Sequence, residues 1–505
     1  MTYDLSTRLR AILALEPDAP ALQTNGRWLT WGDLQGIGDD LQRALAEVSA
    51  PPAVRIGMIM RNRVGIVASV LSVLTHRQTV VTMSSMLPDE QLVQDFAAVP
   101  AGVIVADRQD WERPGVREAA RAQGMVALAV DGAGVEILEQ GRGVWGGAGA
   151  VTDDTAVLML TSGTTGPPKR VPLTYRAYSA AFEGLAHYVS DASTVRLRSG
   201  VGIVFSPLLH VSGMFALLNA VLAGRKVALM ERFDVAEWLA LVKEHRPPML
   251  ALPPTALHMV MEANVAPADL SFARSTMVGS APLSPEAALA WEERYGIPVL
   301  MNYGATEFAG GIVGWSLSDH EKYASAKRGS SGRAHPGVEL RIIDETSSEI
   351  LGYDEVGLLE VRAPQVADGD WVRTSDRARI DTDGFLYVVG RADDVIIRGG
   401  FKVSTGTVAE TVKQHPGVRD AGVVGLDDAR LGTVPVAGVE RAAGSTVTSE
   451  EIVSWVRDRL SPYQVPVAVH FFDELPRTPS LKVNASALRE LITRAGDASK
   501  HLVGS

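Results

Sequence analysis

Short apolar runs alternate along the chain with longer amphipathic stretches. The runs at 54–60, 102–106, 156–160, 202–205, 227–230 and 249–252 predict buried strands. The stretches at 34–48, 88–97, 175–188 and 235–243 predict helices between them. Strand and helix in alternation imply an α/β protein whose mostly parallel sheets are buried on both faces. Two β-rich segments, 357–362 and 384–389, with a turn at 381–384, predict a small antiparallel β region closing the large domain. After Gly390 the texture changes. Strands are expected at 395–398, 417–426, 436–439 (just after Pro435) and 467–472, and helices at 407–414 and 449–460. Ser449, Glu450 and Glu451 make a good helix start, with acidic residues in the first turn. The reading is a large N-terminal domain of stacked sheets and helices, 1–390, and a small α+β C-terminal domain, 391–505. The link between them falls at 390–394, and the Gly-rich piece 141–149 is a loose linker.

At 505 residues the chain is too long for one hydrophobic core. It carries 48 basic and 59 acidic residues, a net charge of −11, which argues against a nucleic-acid partner. There is no cysteine, so disulfides, thiolate metal sites and a cysteine nucleophile are all excluded. The longest strongly apolar stretches, 64–74 and 214–223, fall short of the ~20 residues of a membrane span. Asp4, Arg8 and Arg10 interrupt the N-terminus, so no signal peptide is expected and a cytoplasmic location is. None of the ten histidines has H-x-x-x-H spacing, so no zinc site is expected. The G-x-G-x-x-G match at 141–146 opens no helix and is set aside as chance.

The strongest local signal is Thr161, Ser162, Gly163, Thr164, Thr165, Gly166, Pro167, Pro168 and Lys169, placed between two β runs. Small hydroxyl residues and glycines bring backbone N–H groups and hydroxyls onto one anion, and Lys169 adds charge. The spacing is not that of a Walker A loop. A flexible linker is the bland alternative, but linkers seldom join two buried strands.

This loop resembles the phosphate-loop signature of the ANL superfamily: acyl- and aryl-CoA synthetases, peptide-synthetase adenylation domains and firefly-type luciferases. The likeness recurs in order along the chain. Gly279, Ser280, Ala281, Pro282 and Leu283 resemble the adenine-side turn, and Asn302, Tyr303, Gly304, Ala305, Thr306 and Glu307 the core motif. Arg373, Thr374, Ser375 and Asp376 resemble R-T-G-D with Ser for Gly. Gly390, Arg391, Ala392, Asp393 and Asp394 resemble the hinge. Pro476, Arg477, Thr478, Pro479, Ser480, Leu481 and Lys482 resemble P-R-T-x-x-G-K with Leu for Gly.

The resemblance implies ATP-dependent activation of a hydrophobic carboxylic acid to acyl-AMP with release of pyrophosphate. Thioesterification to CoA follows, making the protein an acid–thiol ligase with ATP, Mg²⁺ and CoA as its small molecules. Tyr303 would supply a flat platform for the base with open backbone at Gly304, and Thr306 a hydroxyl to the α-phosphate. Glu307 would hold Mg²⁺, Asp376 would accept the ribose hydroxyls, and Arg391 would reach the ribose or the phosphates. Lys482, on a mobile C-terminal lid hinged near Asp393, would contact the substrate carboxylate and the α-phosphate. His210 would form a wall or gate, not a base, with Gly213, Met214, Ala309 and Gly310 lining the acyl pocket. Small residues after Glu307 would leave volume for a bulky or long acid. Gly399 and Gly400 would lie on the CoA path. There the chain departs from the family: Thr405 stands where Pro is common, and Thr407 and Ala409 where glutamates are. That departure leaves open an acyl-AMP ligase that hands its acyl group to a carrier protein or partner enzyme.

Overall fold

The computed structural model describes residues 4–142, 145, 154–161, 169–186, 194–366, 369–392, 395–398, 401–428, 430–478 and 481–502. Among them the strands form four sheets. The first runs Val135–Glu139, Val126–Val130, Val103–Asp107, Arg55–Met60, Thr79–Ser84, Thr155–Thr161 and Lys169–Thr174. Its five inner strands are parallel, and an antiparallel neighbour closes each edge. The apolar stretch at 64–74 becomes the helix Val64–Thr75, buried at every position but the first, which is why it carries no polar face. The stretch at 214–223 becomes part of the helix Val211–Leu222. No described helix is long and apolar enough to cross a membrane.

The second sheet extends one expectation. Met249–Ala251, Ser275–Val278 and Val299–Ala305 are parallel, and from Val299–Ala305 onward every pairing is antiparallel, through Gly310–Gly314 to Glu339–Ile343. The β-rich segments at 357–362 and 384–389 are antiparallel as expected; what the expectation lacked is that they continue a nine-stranded mixed sheet. The turn at 381–384 is as expected: Asp381 accepts from the backbone N–H groups of Asp383 and Phe385. A third, four-stranded sheet pairs Pro20–Thr24 with Lys226–Leu229.

The C-terminal unit packs Thr405–Lys413, Ser449–Arg457 and Ala485–Leu502 on a five-stranded sheet. Thr448 and Glu451 form a reciprocal capping box at the start of Ser449–Arg457. Val408, Val412, Val439, Ile452 and Val456, all fully buried, make the core of this unit. Pro435 lies inside the strand Gly432–Arg441, opposite Gly425, rather than before it.

One buried side chain ties the first sheet to the loop that leads to His210. The Asn62 amide donates to the carbonyls of Ser206 and Met230, each at 3.1 Å, and its oxygen accepts from Leu208 N at 3.0 Å. Removing the amide orphans buried backbone groups, each costing ~1–3 kcal/mol. Asn62→Ala should therefore lower unfolding stability by about 2–4 kcal/mol in denaturant titration. A loss within 0.5 kcal/mol would show that water replaces the amide.

Candidate active site

The predicted site residues at 279–281 and 302–307 sit at the carboxyl ends of neighbouring parallel strands in the nine-stranded sheet. Val299–Ala305 delivers Asn302, Tyr303 and Gly304, and a 3₁₀ turn, Thr306–Phe308, follows. Phe308 is fully buried and anchors that turn, so the half-buried Thr306 and the exposed Glu307 are presented at a fixed point. The strand Lys169–Thr174 packs beside the same turn. Ser162, Gly163, Thr164 and Thr165 themselves, the hinge residue Asp393, and Gly399 and Gly400 lie outside the described residues, as do the side chains of Thr161 and Lys169.

Gly279, Ser280 and Ala281 follow the neighbouring parallel strand Ser275–Val278. A Cβ on Gly279 would sit 3.0 Å from the Asn302 carbonyl, and Ser280 holds a left-handed φ of 70°. A non-glycine residue there costs ~1–2 kcal/mol, strain of the kind found where a turn must aim backbone at a ligand. Gly304 does more than leave space. Its Cβ would come 2.1 Å from the Gly310 carbonyl, so only glycine allows the two strands to cross at the register shift after Tyr303.

Tyr303, Asp376, Ser375 and Arg391 form a connected polar group. The Tyr303 hydroxyl donates to Asp376 Oδ2 at 2.5 Å, and Arg391 Nη1 stands 3.8 Å from Asp376 Oδ1. Arg391 Nη2 donates to Ser375 Oγ at 2.5 Å, so the serine that replaces the family's glycine helps to hold the arginine. Burial and the Asp376 carboxylate push the Tyr303 phenol far up, and it remains a donor at all ordinary pH.

Lys482, on the C-terminal unit, stands within electrostatic range of Arg391 and Asp376. It retains accessible surface while protein crowds it on most sides, as for a side chain standing in an open cleft. Burial and the Arg391 charge hold its ammonium below the usual lysine range, with Asp376 acting in the opposite sense. Two cations thus share the cleft with one carboxylate, and an anion bound among them would relieve their repulsion. That balance fits ATP. No cluster of three metal-ligating side chains occurs among the described residues. Glu307 beside the phosphate-loop strand fits a Mg²⁺ held by one carboxylate and by phosphate oxygens.

The loop bearing Lys482 is braced from both domains. Leu481, where the family pattern has glycine, holds a left-handed φ of 64°. Its carbonyl accepts from Arg477 Nη1 at 3.3 Å and, across the domain interface, from Thr255 Oγ1 at 3.3 Å. Arg477 in turn pairs with Asp420 at 2.7 Å and Glu440 at 2.8 Å. Thr255 and His258 lie on the helix Pro254–Glu262, and His258 faces Asp420, Lys413 and Glu410 of the C-terminal unit.

His210 ends the loop that Asn62 holds and caps the helix Val211–Leu222. Its Nε2 is buried without a hydrogen-bond partner among the described residues. Burial and then the nearby Lys482 charge push its pKa down to about 4, so it is a neutral wall at pH 7. Of the residues expected to line the acid pocket, Met214 and Ala309 are fully buried, and a Cβ added at Gly213 would come within 2.2 and 2.4 Å of the Pro207 and Ser206 carbonyls. The residue that Val211–Leu222 presents to Gly310 is Phe215, which motif reading missed: a Cβ on Gly310 would lie 2.7 Å from its ring. The space attributed to that small residue is filled.

Comparison with known proteins gives the family. The model of the AMP-binding enzyme family matches residues 9–371, and the model of its C-terminal domain matches 407–482. The chain belongs to this adenylate-forming superfamily. It is 31% identical over 364 residues to a 4-coumarate–CoA ligase-like protein of Arabidopsis thaliana, covering 68% of this chain and 62% of that protein. It is 33% identical to a 2-succinylbenzoate–CoA ligase of Bacillus velezensis, covering 69% and 70% respectively. The chain thus spans less than two thirds of the plant relative's length. Among solved structures, the o-succinylbenzoate CoA synthetase of Bacillus subtilis in complex with its acyl-adenylate intermediate superposes with a TM-score of 0.73 at 26% identity, covering 95% of this chain and 97% of that one. ATP-bound MatB from Rhodopseudomonas palustris, at 23% identity and a TM-score of 0.79 over 97% of this chain and 99% of its own, shows the shared fold.

The His210 shift has a thermodynamic consequence with a definite sign. Its folded pKa lies below the unfolded value of 6.5, so as pH falls from 6.5 towards about 4 the unfolded chain gains a proton that the folded chain does not. Stability is therefore lost in that window, and His210→Gln should flatten the fall of Tm between pH 6.5 and 4.5. Parallel curves for the two proteins would place His210 in water.

Proposed function

We propose that the protein activates a hydrophobic carboxylic acid with ATP and transfers the acyl group to CoA. A carboxylate oxygen attacks the α-phosphorus, pyrophosphate leaves, and the acyl-adenylate remains. The thiol sulfur of CoA then attacks the acyl carbon, its proton is lost to solvent, and AMP leaves. The observation that carries this reading is the polar group of Tyr303, Asp376, Ser375 and Arg391, with the Lys482 charge within electrostatic range of Arg391, Asp376 and His210. Two anions must meet in the first step, and a cation fixed in a cleft offsets their repulsion as charge develops. Mg²⁺, held through Glu307 and phosphate oxygens, would supply further charge neutralisation. Tyr303 and Asp376 orient the nucleoside, Arg391 steadies it, and the neutral His210 walls the acid without competing for its charge. ATP and CoA as substrates, together with a chain free of cysteine, suit a cytoplasmic setting.

For the second step the C-terminal unit would turn about the link near Asp393, withdrawing Lys482 and bringing the segment at 399–407 to the site. The departures from the family in that segment are milder than the sequence implies. Thr405 is the first residue of the helix Thr405–Lys413, a position where proline is common because no N–H partner is needed, and Ser404 caps the helix by accepting from Thr407 N. Ala409 is buried in the C-terminal core, where a glutamate would have to be paired. With CoA ligases as relatives, these features do not favour delivery to a carrier protein.

Acid-dependent pyrophosphate release without CoA, followed by detection of the CoA thioester by mass spectrometry, tests both halves. Lys482→Ala should reduce the first by ~10²–10³-fold, while turnover of supplied acyl-AMP with CoA changes far less. Equal losses would refute the role. Glu307→Gln should raise the Mg²⁺ concentration needed for half-maximal pyrophosphate release without altering Tm, and an unchanged Mg²⁺ dependence would remove Glu307 from the site.

A further inference from the structure

The helices Val211–Leu222 and Tyr175–Ala186 put three aromatic rings in one stack behind the acid pocket. Phe215 lies parallel to Phe182, with ring centroids 5.0 Å apart and planes 16° apart. Phe182 lies parallel to Tyr178 at 6.2 Å and 10°. Phe182 and Tyr178, four residues apart on one helix face, are buried at 3% and 0% exposure. Phe215 is only partly buried. The outermost ring is therefore backed by two rings that cannot step aside, and it is the one that keeps an accessible surface.

Its edge also closes a passage. A Cβ on Gly310 would meet Phe215 Cε2 at 2.7 Å and Cδ2 at 2.9 Å, so the ring rests directly on the strand Gly310–Gly314. No alkyl chain fits between that strand and the helix at this level. Five residues before Phe215, at the N-terminus of the same helix, stands His210, within electrostatic range of Lys482. On the acid-activating reading, His210 and the Phe215 ring would bound the acid from two sides, less than two helical turns apart along the helix.

We infer that Phe215 is the specificity-determining floor of the acid pocket and that the acid it admits is compact and planar, an aryl or arylalkenyl carboxylic acid rather than a long alkyl one. The inference rests on the acid-activating reading above. A flat ring gains offset or edge-to-face contact with Phe215, whereas a long chain meets a wall. Phe215 touches no reacting atom, so its contribution falls on binding and appears in KM.

The test is acid-dependent pyrophosphate release by the full chain with benzoate, cinnamate, octanoate and dodecanoate. Wild type should show kcat/KM at least tenfold higher for the better aryl acid than for dodecanoate. Phe215→Ala should raise the dodecanoate-to-aryl ratio at least tenfold. Phe215→Leu, which preserves core volume, should raise KM for the aryl acid severalfold and leave kcat within twofold. Preference of the wild type for dodecanoate, or ratios unchanged in both variants, overturns the inference while leaving acid activation intact. No release with any of the acids overturns the activity reading and this inference with it.

Discussion

A lysine that must carry charge inside a cleft is costly to place, because burial and a neighbouring arginine both favour its neutral form. Lys482 is in that position, with Arg391 as the like charge and Asp376 as partial compensation. Much of the rest of the site follows from keeping this cation where an anionic nucleotide and a carboxylate would meet. Tyr303 and Ser375 fix Asp376 and Arg391 from the large domain. Arg477 fixes the lysine loop from the small one, itself held between Asp420 and Glu440. Burial opposes ionisation of Asp420, but Lys413 and Arg477 outweigh it and hold its carboxyl below the usual range. The brace is thus ionic at the pH where the lysine is needed.

The departures from the family pattern acquire physical meaning in this frame. Leu481 stands in the left-handed region that glycine would occupy freely, at a cost of ~1–2 kcal/mol. Its carbonyl is clamped by Arg477 within the domain and by Thr255 across the interface. The interface contact exists only when the small domain is docked as it is here, so it adds to the docked state and to no other. Ser375, by contrast, adds a hydrogen bond that glycine could not make.

The alternating architecture was legible in the apolar runs, because strands buried on both faces must be continuously apolar, and Arg55–Met60 and Val103–Asp107 fall within a residue of expectation. The continuation of the second sheet was not, since the pairing of Gly332 with Leu386 and of Arg333 with Phe385 joins distant segments and leaves no local trace. The motif glycines were legible because a close approach of two backbones restricts residue type: a Cβ on Gly304 would come 2.1 Å from the Gly310 carbonyl. The acid pocket was not. Met214 and Phe215 are adjacent apolar residues on one helix, and only packing decides that the first enters the core and the second faces Gly310. Asn62 was invisible for a similar reason, as its partners at Ser206, Leu208 and Met230 lie far along the chain.

On the proposed function, this docking of the two domains is the one that makes the acyl-adenylate. The chain has no cysteine, so Thr255→Cys together with Leu481→Cys would give a single reactive pair on a silent background. Joining the pair with a short reducible thiol cross-linker and following one turnover measures both half-reactions in the locked state. Acyl-adenylate should form within a few-fold of the uncross-linked rate, while CoA thioester falls at least a hundredfold and returns on reduction. Thioester formation unchanged by the cross-link, or adenylate formation lost while supplied acyl-AMP still reacts with CoA, would contradict it.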